Sequence, residues 1–96
     1  MRFEFSGEVI EWRGPPPYLF LPLADELSEE IRECGKSASY LWGMIPVYAH
    51  IGGSRFRTAM FPKGTGYWLP IKVAVQKAES ISASNVVAGW LEIDFG

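Results

Sequence analysis

One cysteine and one histidine are the whole supply of thiolate and imidazole metal ligands in these 96 residues. Cys34 alone allows no internal disulfide, so nothing here calls for an oxidising compartment and a cytoplasmic location is expected. With His50 as the only imidazole, no zinc set dominated by Cys and His can assemble, and no metal is expected. Cofactor fingerprints are missing too: Gly64-Thr65-Gly66 is a poor match to a phosphate loop. No apolar run approaches the roughly 18–20 residues that span a bilayer, so a membrane is not an expected partner. The length leaves room for one core, hence a single domain over residues 1–96 without separate cofactor and substrate domains.

Apolar side chains are plentiful. They make up 48% of the chain, with four Trp, four Tyr and six Phe, a composition that packs rather than stays disordered. Their spacing reads mainly as strands. Phe3, Phe5, Val9 and Ile10 mix with Glu4, Ser6, Glu8 and Glu11, a strand from Phe3 to Trp12 with a bulge or bend at Gly7 and not a signal peptide. Arg13-Gly14-Pro15-Pro16-Pro17 lacks the donors of a central strand and reads as a connection before a short strand, Tyr18 to Pro22.

Ala24 to Cys34 is a helix with Leu23, Leu27, Ile31 and Cys34 on its apolar side, acids in its first turns, and Gly35 as a left-handed cap. Met44 to Pro62 is a hairpin turned by Gly52-Gly53. That turn sets Ile51 opposite Ser54, puts Ile45, Val47, Ala49, Ile51, Phe56, Thr58 and Met60 on one face, and leaves His50 with Arg55 and Tyr48 with Arg57 on the other. After Lys63-Gly64-Thr65-Gly66 come a strand, Tyr67 to Leu69, a segment from Ile71 to Glu79 that fits both periods and is assigned to a helix, and a last strand from about Val86 to Phe95. Phe20-Leu21-Pro22-Leu23 is echoed by Trp68-Leu69-Pro70-Ile71, and the same offset relates Trp42 to Trp90. Strands, a Leu-Pro corner and a short helix, duplicated, give a β-barrel with a pseudo-twofold internal repeat.

Ser39-Tyr40, Trp42-Gly43, Ile45-Pro46-Val47, Ile51-Gly52-Gly53, Phe56-Arg57-Thr58, Phe61-Pro62-Lys63, Gly66-Tyr67, Leu69-Pro70 and Lys72 with Lys77-Ala78-Glu79 form a longer pattern. It resembles a bacterial family numbered 1905 among the domains of unknown function. The resemblance implies a mainly β fold, a double-split β-barrel with two short helices, of the kind also found in swapped-hairpin DNA-binding domains of transition-state regulators and antitoxins. Leu41, Gln76 and Ser84-Asn85 depart from the family pattern. The family carries no activity to transfer, so function rests on the residues themselves.

Charge is the most informative of these. Asp and Glu are absent from Gly35 to Ala78, where Lys36, Arg55, Arg57, Lys63, Lys72 and Lys77 all fall, although the chain has a net charge of −2. A basic face around the central hairpin and an acidic one around the first helix are expected. Arg55, Arg57, Lys63, Lys72 and Lys77 are therefore candidates for binding an anion, with the Gly64-Thr65-Gly66 loop offering backbone donors; a solvated strand face protected against aggregation is the plainer alternative. Among Trp12, Tyr18, Tyr40, Trp42, Tyr67 and Trp68, the residues Trp42, Tyr67 and Trp68 are candidates for stacking on a flat ligand, the alternative being core or barrel rim.

No residue is assigned a catalytic role. His50 is the one side chain for proton transfer near neutral pH, with no nucleophile indicated beside it, and Cys34 reads as a packing residue. The expected function is that of a non-catalytic binding or interaction module whose partner is an anionic ligand, a nucleic acid or an acidic protein surface. A nucleic-acid-binding regulator and a small enzyme using His50 are the alternatives. The acidic pI of about 5.3 weighs against strong nonspecific binding to DNA.

Overall fold

The computed structural model describes residues 1–12 and 18–96; the proline-rich connection expected at 13–17 lies outside the described residues. The chain runs β1 (Arg2–Glu8), β2 (Ile10–Trp12), β3 (Tyr18–Pro22), α1 (Asp25–Cys34), a 3₁₀ turn (Leu41–Gly43), β4 (Ile45–Ile51), β5 (Ser54–Lys63), β6 (Gly66–Ile71), α2 (Val73–Ala78) and β7 (Val86–Ile93). It is a mainly β protein. Among the described residues, seven antiparallel strands form one curled half-barrel sheet in the order β1-β7-β4-β5-β6-β3-β2. No described helix is long and apolar enough to cross a membrane.

Two long stretches of chain are shared between the two halves of the sheet. Residues 54–60 of β5 pair with β4 and its last residues, Phe61–Lys63, pair with β6. Residues 2–12 behave alike: β1 pairs with β7 along one edge, and β2 pairs with β3 on the other. The bend between β1 and β2 is at Val9 and not at Gly7. Gly7 holds regular register opposite Val87, whereas Val9 leaves the ladder to bond Ser84 and Asn85. Phe3, Phe5, Gly7 and Val9 thus keep strict period two, and the slip comes one residue later. A side chain at Gly7 would meet Leu21 Cδ1 and the Pro22 carbonyl at 3.3 Å, so glycine lets β3 approach there.

The core is an inward layer from every long strand, with Leu21, Ile45, Val47, Met60, Leu69 and Leu91 fully enclosed and Ile31 plugging it from α1. The Gly52-Gly53 hairpin has the expected register, Ile51 opposite Ser54 and His50 opposite Arg55. Of its two glycines only Gly52 has a positive φ, the pattern of a type II′ turn.

The helices needed correction in detail. On α1, Cys34 is exposed and Ser28 takes the core-facing place, because the buried stripe lies one residue off the apolar one. Ser28 is buried without cost: its Oγ accepts a bond from the Tyr67 backbone N–H at 3.1 Å. Gly35 has φ −98°, so no left-handed cap is formed. Its reason is proximity, since a Cβ there would stand 3.0 Å from Ile45 Cδ1 and 2.9 Å from the Ile31 carbonyl. β6 extends beyond Leu69 through Pro70 to Ile71, which leaves Lys72 as the N-cap of a shorter α2. Trp42 lies in the 3₁₀ turn and Trp90 within β7, so their shared offset relates unlike places.

Candidate functional site

β5 and β6 present opposite sides of one hairpin to two different surroundings. Phe61, Lys63 and Trp68 point outward, while Pro62 and Tyr67 face a cleft of about 410 Å³ beneath α1 and the 3₁₀ turn. Arg32, Lys36, Ser39, Trp42 and Ile45 complete the cleft walls.

Each wall has a local cause. Tyr67 is fixed by two backbone bonds to α1: its N–H to Ser28 Oγ, and its carbonyl accepting from the Leu23 N–H at 2.9 Å. Arg32, one turn along from Ser28, donates from Nη2 to the Thr65 carbonyl at 2.9 Å and from Nη1 to Glu29, with its guanidinium 5.3 Å from the Tyr67 ring centroid. The loop expected to offer backbone donors therefore offers an acceptor that aims Arg32. Lys36 is paired with Glu33 at 3.3 Å across an exposed helix turn, a contact that holds it only weakly.

Trp42 is the unusual member. Its indole is 84% exposed, and its backbone sits at φ 58°, ψ 28°, the left-handed region that costs a β-carbon-bearing residue about 1–2 kcal/mol. The Gly43 N–H to Tyr40 carbonyl bond and the Tyr40–Met44 bridge hold that conformation. Trp42 is thus an exposed aromatic kept in a strained turn, lining the same cleft as Arg32 and Lys36.

The hairpin cations are elsewhere and largely engaged. Across the outer face, β1, β7, β4 and β5 align Glu4, Trp90, His50 and Arg55 in one row and Arg2, Glu92, Tyr48 and Arg57 in the next. Arg57 Nε donates to Asp94 Oδ2 at 2.7 Å. That bond holds the Asp94 carboxyl below its ordinary value, with the Gly96 N–H adding to the effect, and raises Arg57. Arg55 stacks over Tyr48 at 4.1 Å. The acids missing from the central sequence segment return from β1 and the β7 end, so the hairpin's face is mixed in sign.

His50 lies in the same layer, its ring stacked on Trp90 at 3.6 Å and 9° while Arg2 covers that indole at 3.6 Å. Two groups this close to one ring centroid occupy opposite faces. The His50 Nε2 is enclosed and unbonded, 4.0 Å from Glu92. Lys63 sits on the outward aromatic side with Trp68, and Lys72 at the start of α2 beside Tyr18 and Phe20. Lys77 is in the last turn of α2. The candidate anion residues are thus spread over several surfaces, while two of the three aromatic candidates, Trp42 and Tyr67, meet in one cleft.

Arg32 was missed because it stands among five acids of an apparently acidic helix; its distance of one turn from Ser28, on the side facing the β5–β6 turn, is visible only once the buried stripe is known. Among the described residues no three of His, Cys, Asp and Glu gather in a metal-holding group. Neither the curated proteins nor the solved structures yield a match to the chain. The model of the family described as Domain of unknown function (DUF1905) matches residues 5–88, and with nearly the whole sheet and both helices inside that span, the chain belongs to this family.

Proposed function

We propose that this domain is a non-catalytic binding module that takes a small planar anion, a nucleotide-like group, in the cleft of Arg32, Lys36, Trp42 and Tyr67. The observation that carries the reading is Trp42, exposed and held in a strained turn at the rim of a cleft that Arg32 and Lys36 also line. A cleft of about 410 Å³ is within the usual range for small-molecule sites. Arg32, pre-aimed by the Thr65 carbonyl, would meet the charge, and Trp42 would cover the ring. The non-catalytic part is supported by His50, whose Nε2 is enclosed and whose ring is stacked on Trp90.

We also read the curled sheet as a double-split barrel of two similar halves. Leu21 pairs with Leu69 at the centre of the β3–β6 contact, so the two Leu-Pro motifs face each other antiparallel. β4 and β7, each following a helix, pair with one another in the same sense.

The test is a calorimetric titration with adenosine monophosphate, inorganic phosphate and a short single-stranded oligonucleotide at low and moderate salt. The mononucleotide is expected to bind better than phosphate. Arg32→Gln is expected to weaken it about tenfold or more, the loss of one charge-assisted bond. Absence of mononucleotide binding to the wild type at low salt defeats the cleft reading. If only the oligonucleotide binds, and with a steep salt slope, the ligand is a nucleic-acid strand and the site is larger than the cleft.

A further inference from the structure

The outward side of β2, β3, β6 and the end of β5 carries a second aromatic cluster that has no part in the cleft. Trp12 and Trp68 meet edge to face at 5.6 Å and 70°, Phe20 lies 5.7 Å from Trp68, and Phe61 lies 6.5 Å from Phe20. These four rings and Lys63 surround a recess of about 120 Å³, the liquid volume of about four waters. The Lys63 ammonium stands 4.6 Å from the Trp12 ring centroid and 5.6 Å from that of Trp68.

Among the described residues, nothing but the rings accounts for that placement. The outward positions here are Ile10 and Trp12 on β2, Tyr18, Phe20 and Pro22 on β3, Trp68 and Pro70 on β6, and Phe61 and Lys63 on β5, without a carboxylate among them. Lys63 has no salt bridge among the described residues. Its ammonium is held by π faces, whose negative quadrupoles attract a cation.

We propose that this recess is a binding site for alkylated ammonium groups, with Lys63 as its resident intramolecular cation. A primary ammonium keeps three N–H donors that lose water in an aromatic recess; a quaternary ammonium has none to lose and presents methyl groups to the rings. The incoming cation therefore displaces Lys63, which swings out to solvent on its flexible stem. The same chemistry is found in a free quaternary amine and in a trimethylated lysine side chain of a partner chain.

The experiment is an NMR titration of the intact protein with choline, with a trimethyllysine peptide and with 3,3-dimethylbutan-1-ol, the uncharged isostere of choline. It follows the indole N–H signals and the ring-current shift of the ligand methyls. Lys63→Ala removes an exposed residue and an internal competitor, so it is expected to tighten choline binding by roughly two- to fivefold, the effect of deleting one exposed cation–π contact. The neutral isostere is expected not to bind, and Trp12→Ala, on the edge strand, to abolish the shifts. Tighter binding of the peptide than of choline supports the site and assigns it to a partner's side chain; equal binding supports it and assigns it to a free amine. Three results overturn the proposal: Lys63→Ala weakening binding or leaving it unchanged, the isostere binding as well as choline, or neither cation binding the Lys63→Ala protein. An oligonucleotide that binds here and is lost with Lys63 makes the face a stacking platform for an anion.

Discussion

The outward face of the β1-β7-β4-β5 sheet half and the cleft under α1 both display arginines and aromatic rings, but the rings of the face are stacked and Trp42 of the cleft is exposed. On the sheet face Arg57 is bonded to Asp94, Arg55 lies on Tyr48, and Arg2 and His50 sandwich Trp90. In the cleft Arg32 is bonded to the Thr65 carbonyl and to Glu29, and Trp42 covers nothing. A ring already stacked on a cation or an imidazole has little face left to offer; an exposed one keeps its faces free.

The largest perturbation available is to the strands that carry the closed face, from their inward side. Gly89 lies where β7 crosses β4 and β1, and a Cβ there would fall 2.1 Å from the His50 carbonyl oxygen and 2.9 Å from Phe5 Cζ. Gly89→Ala is expected to cost about 3 kcal/mol or more, because backbone must move, not a side-chain tip. Chemical denaturation measures it, and loss of near-UV signal from the Trp90 stack should accompany it. A Gly89→Ala protein as stable as wild type means that β7 and β4 are not so closely apposed.

Ser28→Ala tests the open side. It strands the buried Tyr67 N–H, a loss of about 1–3 kcal/mol, and frees the ring that floors the cleft. Trp42→Gly separates strain from function: stability should rise by up to about 1 kcal/mol as the left-handed backbone is relieved, while mononucleotide binding falls. A variant that loses both stability and binding makes Trp42 a packing residue. Replacing Arg55 and Arg57 together with alanine is expected to leave cleft binding unchanged in the same titration; a large loss returns the site to the hairpin.

The smallest effect is a pH dependence of the closed face. Asp94 has its folded pKa lowered by Arg57, so the pair's contribution is present above the ordinary carboxylate value and is lost as pH falls through the lowered one. The melting-temperature difference between wild type and Asp94→Asn should therefore be visible near neutrality and shrink below about pH 4. A difference that grows in acid contradicts this sign. Moderate salt should reduce it, since Arg57 is exposed to solvent.

The hairpin was legible because its information is local: Gly52-Gly53 turns the chain, period two sorts Ile45, Val47, Ala49 and Ile51 inward, and the register follows without reference to any other strand. The same holds for the Tyr18–Pro22 strand, whose bounds match, and for the presence of both helices. The bend expected at Gly7, the left-handed cap at Gly35 and Cys34 on the buried side of α1 were misread because the residues that decide them answer to neighbours distant in sequence. Val9 leaves its ladder for Ser84 and Asn85, Gly35 makes way for Ile45, and Ser28 meets Tyr67.

By itself, the sequence determined a mainly β chain, the central hairpin with its outward His50 and arginines, and a segment from Gly35 to Ala78 free of acids; these follow from side-chain period and composition alone. Only tertiary structure decided what those charges meet. Antiparallel pairing brings Glu92 and Asp94 from the chain's end onto the hairpin face, and packing of α1 on β6 sets Arg32 and Trp42 around Tyr67. Coulomb attraction and stacking act across a few ångströms of space, a distance that the order of residues along the chain does not specify.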